Sequence, residues 1–383
     1  MKKIINIAKK NKRIYETFKI IQFLFSSRIL VIKGHKKKYP KVIQLPITYK
    51  CNSKCIMCNI WKMDNSNEAT VEEFSKFMRD DVFKEVESVG INGGEPSLLL
   101  NLPDYVEEIL TLPKIKSLNI ISNGFNQKLL LKSLEEIYKM CCKKGVHFHV
   151  SISLDGVGEI HNIVRGRPKA FEKTISTIDE IIVNQSKYCD TYDIGCTIVS
   201  QNVSYLMELD TYAKSKNYNM KYRLGIDNKR IGSDKLINQY SVIYSSFRQS
   251  AKEFFHYQMS QAKNLADKFK YYSIFSWLDS KNPKRMLGCI WKEEGITLDS
   301  RGMLYYCAVA SDSIGSLREE KGKKIIFNNK NIEYRKDIIT NNCDKCIHDY
   351  SGPIEFRYIW KFLNHIIKNR FAMKVYEIKA RFM

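Results

Sequence analysis

Cys51-Asn52-Ser53-Lys54-Cys55-Ile56-Met57-Cys58 places three cysteines in eight residues, spaced C-x3-C-x2-C. A loop this short can turn all three sulfurs toward one point. A four-iron cluster takes a ligand on each iron, so three thiolates hold it and leave one iron open to another molecule. A zinc knuckle and disulfides are the competing chemistries. Structural zinc favours C-x2-C pairs and four ligands, and an odd local count suits disulfides badly. The spacing therefore favours the cluster. A second group follows downstream: Cys289, Cys307 and the pair Cys343 and Cys346. Residues 295–298 and 303–307 are β-branched or aromatic runs flanking the polar turn Asp299-Ser300-Arg301-Gly302, which reads as a hairpin. It brings Cys289 and Cys307 near its base, and the C-x2-C pair makes four thiolates. On their own these suit Zn²⁺ as well as iron.

The elements that must position these residues begin at Val42. Short apolar runs at 42–48, 87–92, 117–122, 146–153, 192–199 and 221–226 alternate with amphipathic segments at 103–112, 127–143, 171–183 and 205–215. Thr70-Val71-Glu72-Glu73 is a capping box opening another helix. Such alternation demands a parallel sheet with right-handed crossovers. Every candidate functional residue falls at, or just after, the end of a strand, the face where chemistry collects in parallel barrels.

The ordered motifs resemble the radical SAM superfamily. Besides the cysteine loop, Gly93-Gly94-Glu95-Pro96 looks like the family's GGE element, which binds the amino group of S-adenosylmethionine (SAM). Ser122-Asn123-Gly124 looks like the strand-end element near the ribose. The run from Ser151 through Ser153 and Asp155 to Gly156, followed by His161 and Arg165-Gly166, resembles a segment common in the subgroup with extra clusters. One departure is Met57, where the family usually has an aromatic residue against the adenine; a thioether is apolar and polarisable enough to cover a base.

The resemblance implies an α/β fold, an open (β/α)6 partial TIM barrel with a small C-terminal α+β iron–sulfur domain. The organisation expected is a basic amphipathic N-terminal segment at 1–41, the barrel at 42–235, a helical connector at 236–285, an auxiliary-cluster domain at 286–350 and a basic C-terminal helix at 351–383. The implied cofactors are a SAM-binding [4Fe-4S] cluster on Cys51, Cys55 and Cys58, SAM itself, and a second, auxiliary [4Fe-4S] cluster. The second would sit on Cys289, Cys307, Cys343 and Cys346 in a twitch extension, the shortened SPASM domain. The full version needs three further cysteines, and the chain has none after Cys346. The SAM contacts implied are Met57, Gly93, Gly94, Glu95, Ser122, Asn123, Ser153, Asp155 and Arg165. The activity implied is cleavage of SAM to a 5′-deoxyadenosyl radical, which takes hydrogen from a substrate. If the auxiliary cluster accepts the remaining electron, the outcome is a dehydrogenation. If a thiol returns hydrogen from the other face, it is an epimerisation. A reductant such as flavodoxin or ferredoxin is the expected partner.

For the substrate end, Arg223 and Asp227, at the exit of the sixth strand, are candidate anchor and base. Cys196 alternates with Thr197 on the fifth strand and is the candidate hydrogen donor if it faces the barrel, with a buried small apolar residue as the alternative. His147 and His149 share a face of the fourth strand, with packing or SAM-shell roles as the alternatives to catalysis.

Composition bounds the rest. The net charge is +22 over 383 residues, but residues 1–41 hold thirteen Lys and Arg against one acid, and residues 352–383 hold seven against two. The remaining +5 is spread over the middle, which argues against a nucleic-acid channel through the catalytic body. The basic ends suit a phosphorylated or lipid-linked substrate or a peripheral contact with an anionic membrane. Eleven cysteines without an export signal suggest a reducing, cytoplasmic compartment. About 42 residues precede the barrel, too few for a leader-peptide recognition domain. The expected substrate is thus a small polyol, sugar or aminocyclitol, with maturation of a ribosomally made peptide as the alternative.

Overall fold

The computed structural model describes residues 38–381, with side chains through residue 368. The amphipathic segment expected over 1–41 lies almost wholly outside the described residues. The chain divides into two compact units.

The larger unit comprises residues 37–251 and 291–344. Its strands are β1 (Val42–Thr48), β2 (Ser88–Gly93), β3 (Ser117–Ser122), β4 (His147–Ser153), β5 (Thr191–Ile198) and β6 (Met220–Leu224). They pair in parallel, in the order β6-β5-β4-β3-β2-β1. Between them run α1 (Val71–Met78), α2 (Leu102–Ile109), α3 (Gln127–Lys144), α4 (Glu159–Arg165), α5 (Ala170–Val183) and α6 (Leu206–Ser215). Helix α1 starts at the expected capping box: Thr70 Oγ1 accepts from the Glu73 amide at 3.3 Å, and the Thr70 amide donates to the Glu73 carboxylate at 3.2 Å. The sheet is not closed. This is the open partial barrel expected from the motifs.

The strands' two faces differ in kind, as period-2 alternation requires. One face carries Leu45, Ile91, Ile120, Val150, Ile194 and Ile198, all at 1% exposure or less, and forms the core against the helices. The other carries Gln44, Asn92, Asn119, Ser151, Asp193 and Arg223. The interior of the barrel is therefore polar. Ser151 Oγ donates to Asp193 at 2.6 Å, and His149 Nε2 lies 3.4 Å from the same carboxylate.

The cysteine-bearing hairpin is part of the same sheet. Strand β7 (Gly295–Leu298) pairs in parallel with β1, then β8 (Met303–Tyr305) and β9 (Gly315–Ser316) follow antiparallel, giving nine strands in one ladder. One buried carboxylate fastens the hairpin turn to the end of β1. Asp299, 2% exposed, accepts the Tyr49 hydroxyl at 2.6 Å and the Tyr305 hydroxyl at 3.2 Å on one oxygen. The Arg301 and Met303 amides, each at 2.9 Å, bond the other oxygen.

The smaller unit comprises residues 252–290 and 345–383 of the chain. Its core packs α7 (Leu265–Asp279) against α8 (Phe356–Arg381) through Phe269, Tyr272, Met286, Ile359 and Phe362. Among the described residues, no helix is long and apolar enough to cross a membrane.

Removing the Asp299 carboxylate strands two buried hydroxyls and two amides. Asp299→Ala is expected to destabilise by on the order of 3 kcal/mol, and Tyr49→Phe by about 1 kcal/mol. Thermal unfolding midpoints of the two variants, read against the parent, check that order.

Candidate functional site

The cysteine loop follows β1 directly and is held by α4. The Lys54 amide donates to the Arg165 carbonyl at 3.0 Å, and the Ile56 amide to the Val164 carbonyl at 3.1 Å. The Ser53 hydroxyl also donates to the Arg165 carbonyl, at 2.7 Å. These carbonyls end a helix and have no partner within it, so the loop caps them. The close approach depends on Gly166, where a Cβ would lie 2.3 Å from the Lys54 carbonyl oxygen. Arg167 adds a bond from Nη1 to the Asn52 carbonyl at 2.7 Å.

The Arg165 side chain turns back into the site. Its Nε lies 2.6 Å from Asp155, which is 0% exposed, and its Nη1 donates to Cys55 Sγ at 3.7 Å. Burial would strip the guanidinium of its proton, but Asp155 and Cys55 hold it firmly charged. Asp155 is itself fixed: one oxygen accepts the Thr197 amide at 2.8 Å, and its own amide donates to His161 Nδ1 at 3.0 Å. His161 is fully buried, and its pKa falls well below the ordinary value because burial disfavours the cation. It is a neutral acceptor.

On the other side stands the turn after β2. The Gly94 amide donates to the Thr48 carbonyl at 2.6 Å and the Glu95 amide to the Lys50 carbonyl at 2.7 Å. A Cβ at Gly94 would lie 1.9 Å from the Lys50 carbonyl oxygen, so only glycine lets this turn sit beside the cysteine loop. Glu95, 1% exposed, accepts from Ser122 Oγ at 2.6 Å, the Asn123 amide at 2.8 Å and the Ser97 amide at 3.1 Å. Asn123 Nδ2 reaches Asn52 Oδ1 at 2.7 Å. Met57 packs beside Val164, Val199 and Tyr240. Gly93, Gly94, Glu95, Ser122, Asn123, Asp155 and Arg165 thus ring the loop through a continuous set of bonds. Ser153 stands at the end of β4, half-buried.

Of the substrate-end candidates, Arg223 does face the interior, against Gly195 and close enough to act on Asp193. Burial alone would raise the Asp193 carboxyl, but hydrogen bonds from His149 and Ser151 and the charge of Arg223 outweigh it and hold it below the ordinary value. Asp193 was not expected; its alternation with Gly195 and Thr197 on β5 is the signal that marks it. Asp227 is exposed beyond β6. Cys196 does not face the barrel. It alternates with Ile194 and Ile198 on the helix-facing side, 0% exposed, because on a strand it must point opposite to Asp193 and Thr197. Burial pushes its thiol well above the ordinary pKa.

The downstream cysteines fall in both units. In the smaller, Arg285 joins the segments bearing Cys289 and Cys346: Nη2 donates to the Gly288 and Tyr350 carbonyls at 3.0 and 2.6 Å, and Nη1 to the Cys346 and His348 carbonyls at 3.3 and 2.7 Å. In the larger, half-buried Arg335 donates to the Trp291 and Gly295 carbonyls at 3.1 and 3.3 Å and feels the charges of Cys307 and Cys343. The Val309 amide points at Cys307 Sγ and the His348 amide at Cys346 Sγ, each at 3.4 Å. Amide-to-sulfur bonds of this kind stabilise thiolates on a metal. Neither arginine was anticipated, since carbonyls that each bonds lie 40 or more residues away in the chain.

Asp155→Asn removes the charge opposite a buried guanidinium and is expected to destabilise by about 3 kcal/mol or more, while Ser153→Ala changes little. Thermal midpoints and iron retained after desalting would separate the two.

The model of the Radical SAM superfamily matches residues 45–209. A probable GTP 3',8-cyclase of Archaeoglobus fulgidus is 32% identical over 162 residues, which are 37% of this chain and 50% of that protein. The GTP 3',8-cyclase of Helicobacter pylori is 24% identical over 185 residues, 47% of this chain and 54% of the relative. The chain thus spans about half the length of the curated relatives it matches. Among solved structures, anSMEcpe with bound AdoMet and a Cp18Cys peptide aligns at a TM-score of 0.55 and 18% identity, covering 88% of this chain and 98% of that one. Streptococcus suis SuiB bound to the precursor peptide SuiA aligns at 0.56 and 16% identity, covering 84% and 71%. At such identities the likeness is one of fold. Motifs, barrel and family model agree over residues 45–209, which match the Radical SAM superfamily.

Proposed function

We propose that this chain is a radical SAM oxidoreductase that dehydrogenates a small polyol, sugar or aminocyclitol, with a second cluster on Cys289, Cys307, Cys343 and Cys346 as electron acceptor. The family implies a [4Fe-4S] cluster and SAM, and the residues present fit both. Burial raises the Cys51 thiol to about 12 and the Cys58 thiol to about 11, with neighbouring cysteines adding to the shift. Thiols so crowded ionise only where a metal takes up their charge. Cys51, Cys55 and Cys58 would hold the cluster, and the turn at Gly93-Gly94-Glu95, with Ser122, Asn123 and Met57, would hold SAM. When bound, that pair supplies a 5′-deoxyadenosyl radical. The protein's part is to orient and shield: Arg165 fixes Cys55, Glu95 fixes Asn123, and the interior presents the substrate.

The single observation that carries the substrate reading is the polar inner wall. Asn92, Asn119, Ser151, Asp193 and Arg223 offer both donors and acceptors, as a hydroxyl-rich molecule requires and an apolar one would not. The placement of the spare cysteines favours dehydrogenation over epimerisation. Cys141 and Cys142 lie on α3, Cys189 precedes the N-terminal end of β5, and Cys196 faces the helices. None of these four thiols stands on the inner wall where it would return hydrogen to a substrate. The basic ends suit a phosphorylated or lipid-linked substrate, and a flavodoxin or ferredoxin would serve as reductant.

Anaerobically purified protein is expected to carry about eight iron atoms per chain. Substituting Cys51, Cys55 and Cys58 with Ala should leave about four and abolish 5′-deoxyadenosine formation from SAM. Four iron atoms accompanied by zinc in the parent would refute the second cluster. Cys196→Ser should leave turnover intact; its loss would restore the epimerase reading.

A further inference from the structure

The mouth of the barrel holds two arginines that the bonding described so far leaves unused. Arg230 lies in the short turn Lys229–Ile231 that follows β6. That turn is pinned on both sides. The Lys229 amide donates to the Val309 carbonyl at 2.8 Å, and Asn59, just past the cysteine loop, donates from Nδ2 to the Gly232 carbonyl at 2.9 Å. Lys229 also pairs with Asp312 through its ammonium. The side chain between these anchors reaches over Tyr49, with its guanidinium carbon 6.0 Å from the ring centroid. Arg301, from the hairpin turn, reaches the same ring at 5.0 Å.

Two cations around one tyrosine attract its π-system but repel each other. Arg301 pairs with Asp299 at 3.8 Å, and its charge also reaches the exposed Asp64. That carboxylate is already bonded by Tyr49, Tyr305 and two backbone amides. Arg230 has no ion pair and no hydrogen bond among the described residues. Its Nε and Nη1, and the Nε of Arg301, are buried and meet no acceptor. A buried donor without an acceptor costs about 1–3 kcal/mol. Three around one tyrosine ring, on two fixed charges, mark a site completed by something from outside. Guanidinium forks match a planar or tetrahedral oxyanion. The charge of Arg230 reaches Cys58 as well as Tyr49, so the anion would sit beside the cysteine loop.

We propose that Arg230 and Arg301 form an oxyanion subsite at the barrel mouth that takes the phosphate or carboxylate group of the substrate. The proposal rests on the reading of the barrel as the catalytic centre and narrows its substrate to an anionic one. The anion assigned to this subsite is the substrate's and not the carboxylate of SAM, so SAM should not displace it. A polyol phosphate or a sugar acid would lay its hydroxyls along the polar wall below, with its charged end held at the mouth.

Isothermal titration of the reconstituted full chain, under anaerobic conditions, with inorganic phosphate and separately with malonate is the test. Saturable binding near 1 mM is expected. It should weaken at least tenfold in Arg230→Gln and in Arg301→Gln, be largely kept in Arg230→Lys, and persist at saturating SAM. Binding of phosphate alone would assign a phosphate ester, and binding of malonate alone a carboxylate. Failure of both to bind saturably would overturn the proposal. So would binding that survives both Gln substitutions, which would place it on the basic termini, and so would displacement by SAM. Formation of 5′-deoxyadenosine by the parent without added substrate is read independently. Its absence would remove the catalytic reading while leaving the anion result legible.

Discussion

The site depends on one buried ion pair. Arg165 and Asp155 are almost wholly removed from water, and neither would be tolerated there alone. Their pairing fixes the last residue of α4, and the carbonyls at that helix end receive the amides of the cysteine loop. The loop has little regular structure of its own, so its shape is borrowed from the helix. The same guanidinium touches Cys55, which ties the position of a sulfur to the position of a strand end at Asp155. A chain of fixed groups thus runs from β4 and β5 to the cysteine loop, as a site that must hold its ligands to fractions of an ångström requires.

A second carboxylate does similar work on the opposite flank. Asp299 binds Tyr49, two residues before Cys51, and Tyr305, two residues before Cys307. Desolvation and the nearby carboxylate hold both phenols protonated, with Tyr305 raised to about 12 and Tyr49 higher still. They therefore act as hydrogen-bond donors across the working pH range. Glu68 adds a parallel clasp, accepting Thr48 Oγ1 at 2.8 Å and the Ser300 hydroxyl at 3.2 Å. Together with the β1–β7 pairing, these bonds make the hairpin a continuation of the barrel sheet. Any displacement of the hairpin turn would be felt at the start of the cysteine loop.

Much of this was legible in the sequence because it is local. Strands β1 and β3 fall at the residues expected, the other barrel strands fall within a residue or two, and the Thr70 capping box is present as read. Alternation and capping are set by neighbours a few residues apart, so a single sequence carries them. The parallel pairing of β7 with β1 joins residues some 250 positions apart, and nothing in either strand announces it. The same holds for Arg285, Arg335 and Arg230, each of which acts on a partner far away in the chain. Cys196 shows a different ambiguity. Its alternation with Thr197 was correct, but alternation gives two faces without saying which is inside. The apolar neighbours Ile194 and Ile198 decide that, since a face rich in isoleucine packs on helices and the face with Asp193 does not.

The polarity of that inner face bears on the choice between chemistries. In the proposed reaction, a substrate-centred radical inside the barrel would have two routes to a closed shell. One needs a hydrogen donor on the far side of the substrate, and thiols are the side chains suited to it. The other needs a group to take a proton and a route for an electron. The inner wall supplies acid–base groups in quantity, with Asp193 ionised beside His149 and Arg223, and the spare thiols lie elsewhere. An ionised carboxylate near a hydroxyl-bearing carbon radical is the simpler requirement, because loss of the hydroxyl proton makes the radical a stronger reductant. The arrangement of the wall thus favours the oxidative outcome on chemical grounds that do not depend on the fold the chain shares with its structural neighbours.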